Sequence, residues 1–346
     1  MPLFRRGPSE PEIADFWSWW PANRDRVAAA IASGGFDKRL IEDISRAVRT
    51  IDPAMGWELS PGRTAQHAFC ISPEGNAALR PAALRWLSAS PPVDAIWEYH
   101  ASKQAAPSLN GVKIGNDTFD LEAMRTVGSW DDTRQREDVR LWHPGFPGVP
   151  EPVRIQVGFI FLDKLLGEDA VERWIGQLDL VADPIDGLAP AELRTEIDTH
   201  AAQALADHPW IVAKRTLSNG QVEVISADAA LKRIDHPFAD GHAIVRVLAS
   251  DEAWLPTAAE AAVLDREEDE LVRSLEGIAI LAGRTTSPGR RTLHFIAEDT
   301  DAMRPPISAW AAALPDSLTE GARPRVIKFG FERDVDWTFQ KVLGVR

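Results

Sequence analysis

The chain has 346 residues, 45% hydrophobic and 26% charged, with 38 Lys and Arg against 52 Asp and Glu for a formal net charge of −14. At roughly 150 residues per domain this predicts about two folded units, and the acidic balance opposes direct binding to nucleic acid or anionic lipid. No apolar run reaches the roughly 18 residues of a membrane span, and the single cysteine, Cys70, excludes an intramolecular disulfide. The opening MPLFRRGPSEPE lacks the apolar core of a signal peptide, so the expected setting is the cytoplasm.

Taken in chain order, Ile13, Phe16, Trp17 and Trp20 recur at helical spacing until Pro21, which predicts a short aromatic helix. A helix over 37–50 puts Leu40, Ile41, Ile44, Ala47 and Val48 on one face, with Asp37 as its cap and Asp52 and Pro53 as its stop. Strands at 57–60 and 67–72 flank the turn-like SPGR and read as a hairpin. A helix through Ala78, Leu79, Ala82, Leu84, Trp86 and Leu87, followed by a strand in DAIWEYHA, completes a β-α-β unit. Further strands are expected at 119–124, 139–143 and the strongly apolar 153–162, then a helix over 169–175 and a strand at 178–182. The segment 143–152 is rich in Pro and Gly and reads as loop. A helix through Leu193, Ile197, Ala201 and Leu205 makes the connection to the second half.

The second half opens with a hairpin, 210–217 and 222–227 around Asn219 and Gly220. There follow a strand at 242–249, a helix at 258–275, strands at 278–285 and 291–297, a helix at 302–314, a strand at 325–331 and an added helix at 334–343. This βαββαβ order favours an antiparallel sheet with two helices on one face. The expected fold class is therefore α+β, with two ferredoxin-like (split βαβ) domains carrying added hairpins or helices, related by duplication. The expected boundaries are a helical segment at 1–53 attached to the first domain at 54–186, a connecting helix at 187–207, and the second domain at 208–346.

Three stretches carry a family resemblance: REEDELVRSLEG at 266–277, GRTTSPGRRTLHF at 283–295, and ERDVDWTFQKVLG at 332–344, in which acidic residues precede Trp337 and Phe339. With them, the region 208–346 resembles the bacterial domain-of-unknown-function family 695. FWSWW at 16–20 and FIFLDKLLGEDAVERWIG at 159–176 look like the N-terminal portion often joined to it. That family is in turn similar to the regulators of ribonuclease E activity, type B, small proteins that bind and inhibit an RNA-degrading enzyme. The resemblance implies a noncatalytic, protein-binding role. Phe295 and Phe339 stand at tyrosine-like positions of the family, which removes two hydroxyls.

The chemistry-bearing residues admit competing readings. Arg284, Arg290 and Arg291, with Thr285 and Thr286, have the donors to surround an anion, but Ser-Pro-Gly between them equally suits a hairpin whose arginines alternate into solvent or pair with acids. Asp235, His236, Asp240 and His242 form a compact polar set without a recognised zinc spacing, and are expected to satisfy loop hydrogen bonds. The run Glu267, Glu268, Asp269, Glu270 reads as a solvated helix face, and Cys70 as a small buried side chain. Trp17, Trp19 and Trp20 cannot all point inward from one helical turn, so they are candidates for an interaction surface as well as for packing. No phosphate-loop, dinucleotide or nucleophile-elbow motif is present. The expectation is a regulator or adaptor that binds another protein, with neither cofactor nor metal. The alternative is a small-anion or nucleotide-binding regulator using Arg284, Arg290 and Arg291, and a weaker third class is a hydrolase with its site between domains.

Overall fold

The computed structural model describes residues 10–207, 209–249, 253–315 and 325–344; the opening residues 1–9 and the domain boundary at 208 lie outside them. The chain is mixed α and β and divides into two compact units. The division falls between His200 and Ala201, with Asp131–Gln135 grouped with the second unit. Among the described residues no helix is long and apolar enough to cross a membrane.

The first unit begins with α1 (Glu10–Ser33), which runs through Pro21 rather than ending there. Ile13, Phe16, Trp20 and Val27 continue one buried stripe along it, and that packing outweighs the hydrogen bond a proline removes. α2 (Lys38–Ile51) starts where the side chain of Asp37 accepts the N–H of Leu40 at 2.6 Å. β1 (Gly56–Pro61) and β2 (His67–Ser72) form the expected hairpin. α3 (Arg80–Ser88) then returns the chain to β3 (Trp97–His100), parallel to β2. Phe16, Trp20, Phe69, Trp86 and Trp97 fill the core where these helices meet this sheet.

The rest of the unit departs from the sequence expectation. β4 (Val112–Ile114) and β5 (Asp117–Phe119) make a two-stranded ribbon. β6 (Arg125–Asp131) lies where no strand was expected, beside β7 (Arg136–Trp142). The apolar stretch 153–162 is helical: α4 spans Glu151–Leu166 and buries Val157, Phe161, Leu162 and Leu165 while Ile155 and Phe159 remain exposed. Apolar residues on both faces hide the helical period, and Pro152 in the first turn suits a helix start. α5 (Glu168–Trp174) leads to β8 (Ile175–Leu180), parallel to β7, and α6 (Pro190–Asp207) follows. The expected four-stranded antiparallel sheet is replaced in this unit by three small sheets, two of which contain parallel pairs.

The second unit is built on one six-stranded antiparallel sheet. β9 (Trp210–Thr216) and β10 (Val222–Asp228) are joined by a turn in which Gly220 takes φ 81°, a conformation open to glycine without strain. Then come β11 (Gly241–Ala249), α7 (Ala258–Ser274), β12 (Ile280–Ser287), β13 (Arg290–Ala297), α8 (Thr300–Ala313), β14 (Arg325–Arg333) and α9 (Phe339–Leu343). The strand order is β14-β11-β13-β12-β10-β9. Thr257 and Glu260 close a reciprocal capping box at the start of α7. Leu264, Leu271 and Leu275 near α7, and Met303, Ile307 and Trp310 of α8, share a core with Ala243, Val245, Val247, Leu293 and Phe295 of the sheet. The opposite face carries Ile225 and Ile296 under Trp337, Phe339 and Leu343. The terminal helix is shorter than expected because Asp334 caps the turn before it, accepting from the N–H groups of Thr338 and Phe339 at 2.8 and 3.0 Å.

Candidate functional site

Successive residues of a strand point to opposite faces of its sheet, and this alternation divides the arginine hairpin. Arg291 and Arg284 turn toward α7, where both bind Asp265 Oδ1, at 2.8 and 3.1 Å, and Arg284 also binds Glu268 at 3.0 Å. Thr286 is paired with Arg291 and shares that face. Arg290 and Thr285 belong to the other face. The five residues therefore do not converge, and two of the three arginines are held by acids that fasten α7 to the sheet.

Of the acidic run 267–270, Asp269 and Glu270 are exposed as expected and the other two are not. Glu267 and Glu268 are 8% and 6% exposed rather than solvated. Arg325 meets Glu267 with a two-pronged pair at 2.6 and 2.8 Å. Burial pushes the Glu268 carboxyl up while Arg284 and Arg291 pull it down, leaving it above the usual carboxylate range.

The face that Arg290 and Thr285 occupy is a polar platform centred on Thr292. The ladder places Arg246 beside Thr292 on β11 and Thr285 beside it on β12. Arg290 and His294 flank it two residues away on β13, and Lys328 lies directly opposite Arg246 on β14. Arg290 and Lys328 are exposed and Arg246 is half-buried. Arg290 has only a 3.8 Å approach to Glu223, whose stronger partner is Arg215. Among the described residues neither Arg246 nor Lys328 has an ion pair. Like charges directly opposite on a ladder repel, so this face presents donors with unmatched positive charge.

One end of the platform is closed by α9. Phe339 stacks on His242 at 4.7 Å, and His242 bridges Glu332 Oε1 at 2.8 Å and His294 Nδ1 at 3.1 Å. Burial, then the charges of His242, Arg246 and Arg290, hold the His294 imidazole down to about 3. His294 is therefore neutral at pH 7, and the cations of the platform are its arginines and lysine. Trp337 is fixed at φ 50° by burial and by its indole N–H, which donates to the Ala239 carbonyl at 2.7 Å. A bulky residue holds such a conformation only where its surroundings impose it.

The remaining expected groups lie elsewhere. His236 stacks against Trp337, Asp240 pairs with Arg333 at 2.7 Å, and His242 joins the imidazole pair, so the compact polar set disperses. Among the described residues no three His, Cys, Asp or Glu side chains gather as metal ligands. Trp20 is fully buried, the Trp17 indole donates to Trp86 O at 2.8 Å, and Trp19 packs on the same aromatic core, so all three indoles pack within the first unit. Cys70 is buried, and burial pushes its thiol well above the ordinary range.

Sequence reading missed Arg246 and Lys328. Each is the one charged residue within an apolar stretch, AIVRVLA and VIKFGF, and the βαββαβ order with β11 next to β14 makes them neighbours. Comparison with protein-family models, curated proteins and solved structures finds no match.

Proposed function

We propose that the second unit is a ferredoxin-like binding domain that holds an oxyanion, carried by a phosphate-bearing small molecule, on the platform around Thr292. The observation that carries this reading is the placement of Arg246 directly opposite Lys328, with Arg290 two register positions away on the same face of β13. A bound oxyanion offsets that repulsion and gains charge-assisted hydrogen bonds from the guanidinium groups. The strand order supports the fold assignment, because β11, β12, β13 and β14 lie as 4-1-3-2 in their own numbering. The resemblance of 266–277, 283–295 and 332–344 to family 695 supports a regulatory role.

The test is thermal unfolding against inorganic phosphate and a nucleoside monophosphate, with chloride at matched ionic strength. A saturable rise in the unfolding temperature with the phosphate compounds, lost in Arg246→Gln and Arg290→Gln, is the expected result. No saturable rise, or an equal rise in the variants, overturns the proposal.

A protein partner is supported by a separate observation. β9 ends the sheet, and its Trp210 and Val212 are 46% and 72% exposed. An extended segment of a partner can add a strand to that edge, with main-chain hydrogen bonds supplying affinity. This reading accords with a regulator or adaptor.

A further inference from the structure

We propose that a proton held on Glu137 bridges its Oε1 to Glu196 Oε2, and that this proton ties α6 to β7. Glu137 is fully buried, and its Oε2 meets His200 Nδ1 at 2.9 Å. Its Oε1 has no hydrogen-bond partner among the described residues, and neither has the buried Oε2 of Glu196. The two oxygens approach one spot: a Cβ on Gly128 would lie 2.5 Å from Glu137 Oε1 and 3.2 Å from Glu196 Oε2. Glycine at 128 leaves room for them.

Ionised carboxylates are acceptors only, so two of them facing each other out of water repel and leave both oxygens unsatisfied. A proton on one supplies the missing donor and removes one charge.

The groups acting on Glu137 favour this state. Glu196 and His200 face it from α6, and Asp138 adjoins it on β7. β8 presents Ile175 beside it, and β6 brings Gly128 and Trp130, whose indole packs at a tilt against His200, ring centres 4.8 Å apart. The neighbouring Arg136 donates to the carbonyls of Glu172 and Ile175 at 2.6 and 2.9 Å. Burial pushes the Glu137 carboxyl up, the His200 hydrogen bond pulls it down, and Glu196 pushes it up again, with the net shift upward. A raised folded value means that the stabilisation is complete below the unfolded carboxyl pKa and is lost as pH rises through the raised one. Deprotonation leaves two carboxylate oxygens facing each other, without a donor, at the contact between α6 and β7.

The test uses the full chain. Infrared difference spectra taken across a pH titration are expected to show a protonated carboxyl band in the wild type that disappears in both Glu137→Gln and Glu196→Gln, since a glutamine amide donates where the bridging proton did. Hydrogen exchange of the α6 amides, corrected for intrinsic rates, is expected to rise by about tenfold as pH is raised through the carboxyl transition seen in the infrared spectra of the wild type, and to stay flat in Glu196→Gln. Glu196 is half-exposed, so this variant keeps the experiment informative if Glu137→Gln fails to fold. Absence of the band, its persistence in Glu196→Gln, or identical exchange profiles overturns the proposal.

Discussion

Arg246 and Lys328 contribute unfavourably to the ligand-free fold, because their strands place like charges directly opposite each other. Arg246→Gln is therefore expected to raise the unfolding free energy of the ligand-free protein by about 0.2–1 kcal/mol at low salt, with the gain shrinking as salt screens the pair. Urea unfolding at two ionic strengths measures this, and destabilisation at both would show that Arg246 is held by favourable contacts. The combination of a more stable ligand-free protein and a lost phosphate response separates a binding residue from a structural one. The division of the arginine hairpin was legible in the sequence, since Arg290 and Arg291 are consecutive on a strand and must face opposite ways. What pairs with each was not legible: Asp265 and Glu268 come from a helix some twenty residues earlier, and only the packing of α7 brings them there.

At the scale of elements, local signals were legible and tertiary ones were not. Asp37 before α2 and Asn219 with Gly220 between β9 and β10 act within a few residues, and each element forms where its signal stands. α4 has no such polarity contrast along 153–162, and β6 depends on pairing with β7. The exposed edge of β9 leads to a prediction at this scale. Edge strands are made unreceptive to added strands by a charge, so Val212→Lys is expected to abolish binding of a strand-donating partner. The readout is stoichiometric co-purification with the wild type and its loss in the variant, at an unchanged unfolding temperature. Retention of the partner by Val212→Lys would place the protein-binding surface elsewhere.

Across the whole molecule the buried titratable groups lead to the prediction that the two units respond to pH in opposite senses between about pH 5 and pH 7. In the first unit burial pushes Asp163 up to about 6, against the pull of Lys103 at 3.5 Å. Its folded value lies above the ordinary carboxylate range, so its stabilising contribution is complete below the unfolded pKa and is lost as pH rises through about 6. Glu58 and Glu137 are raised and act in the same sense, while the lowered His143, Asp37, Asp94 and Glu98 oppose them, the carboxylates chiefly at the acid end of the range. In the second unit His294 is held down to about 3, below the unfolded imidazole at about 6.5, so its contribution is complete above the unfolded value and is lost as pH falls toward the folded one. His242 is lowered and adds to this, and the raised Glu268 opposes it. Calorimetry from about pH 5 to pH 7 is therefore expected to show one transition moving down and the other up. Asp163→Asn should flatten the first response and His294→Asn the second, which also assigns each transition to its unit. If both transitions shift alike and neither substitution changes its slope, the buried carboxyl and the imidazole pair do not control the pH response of their units.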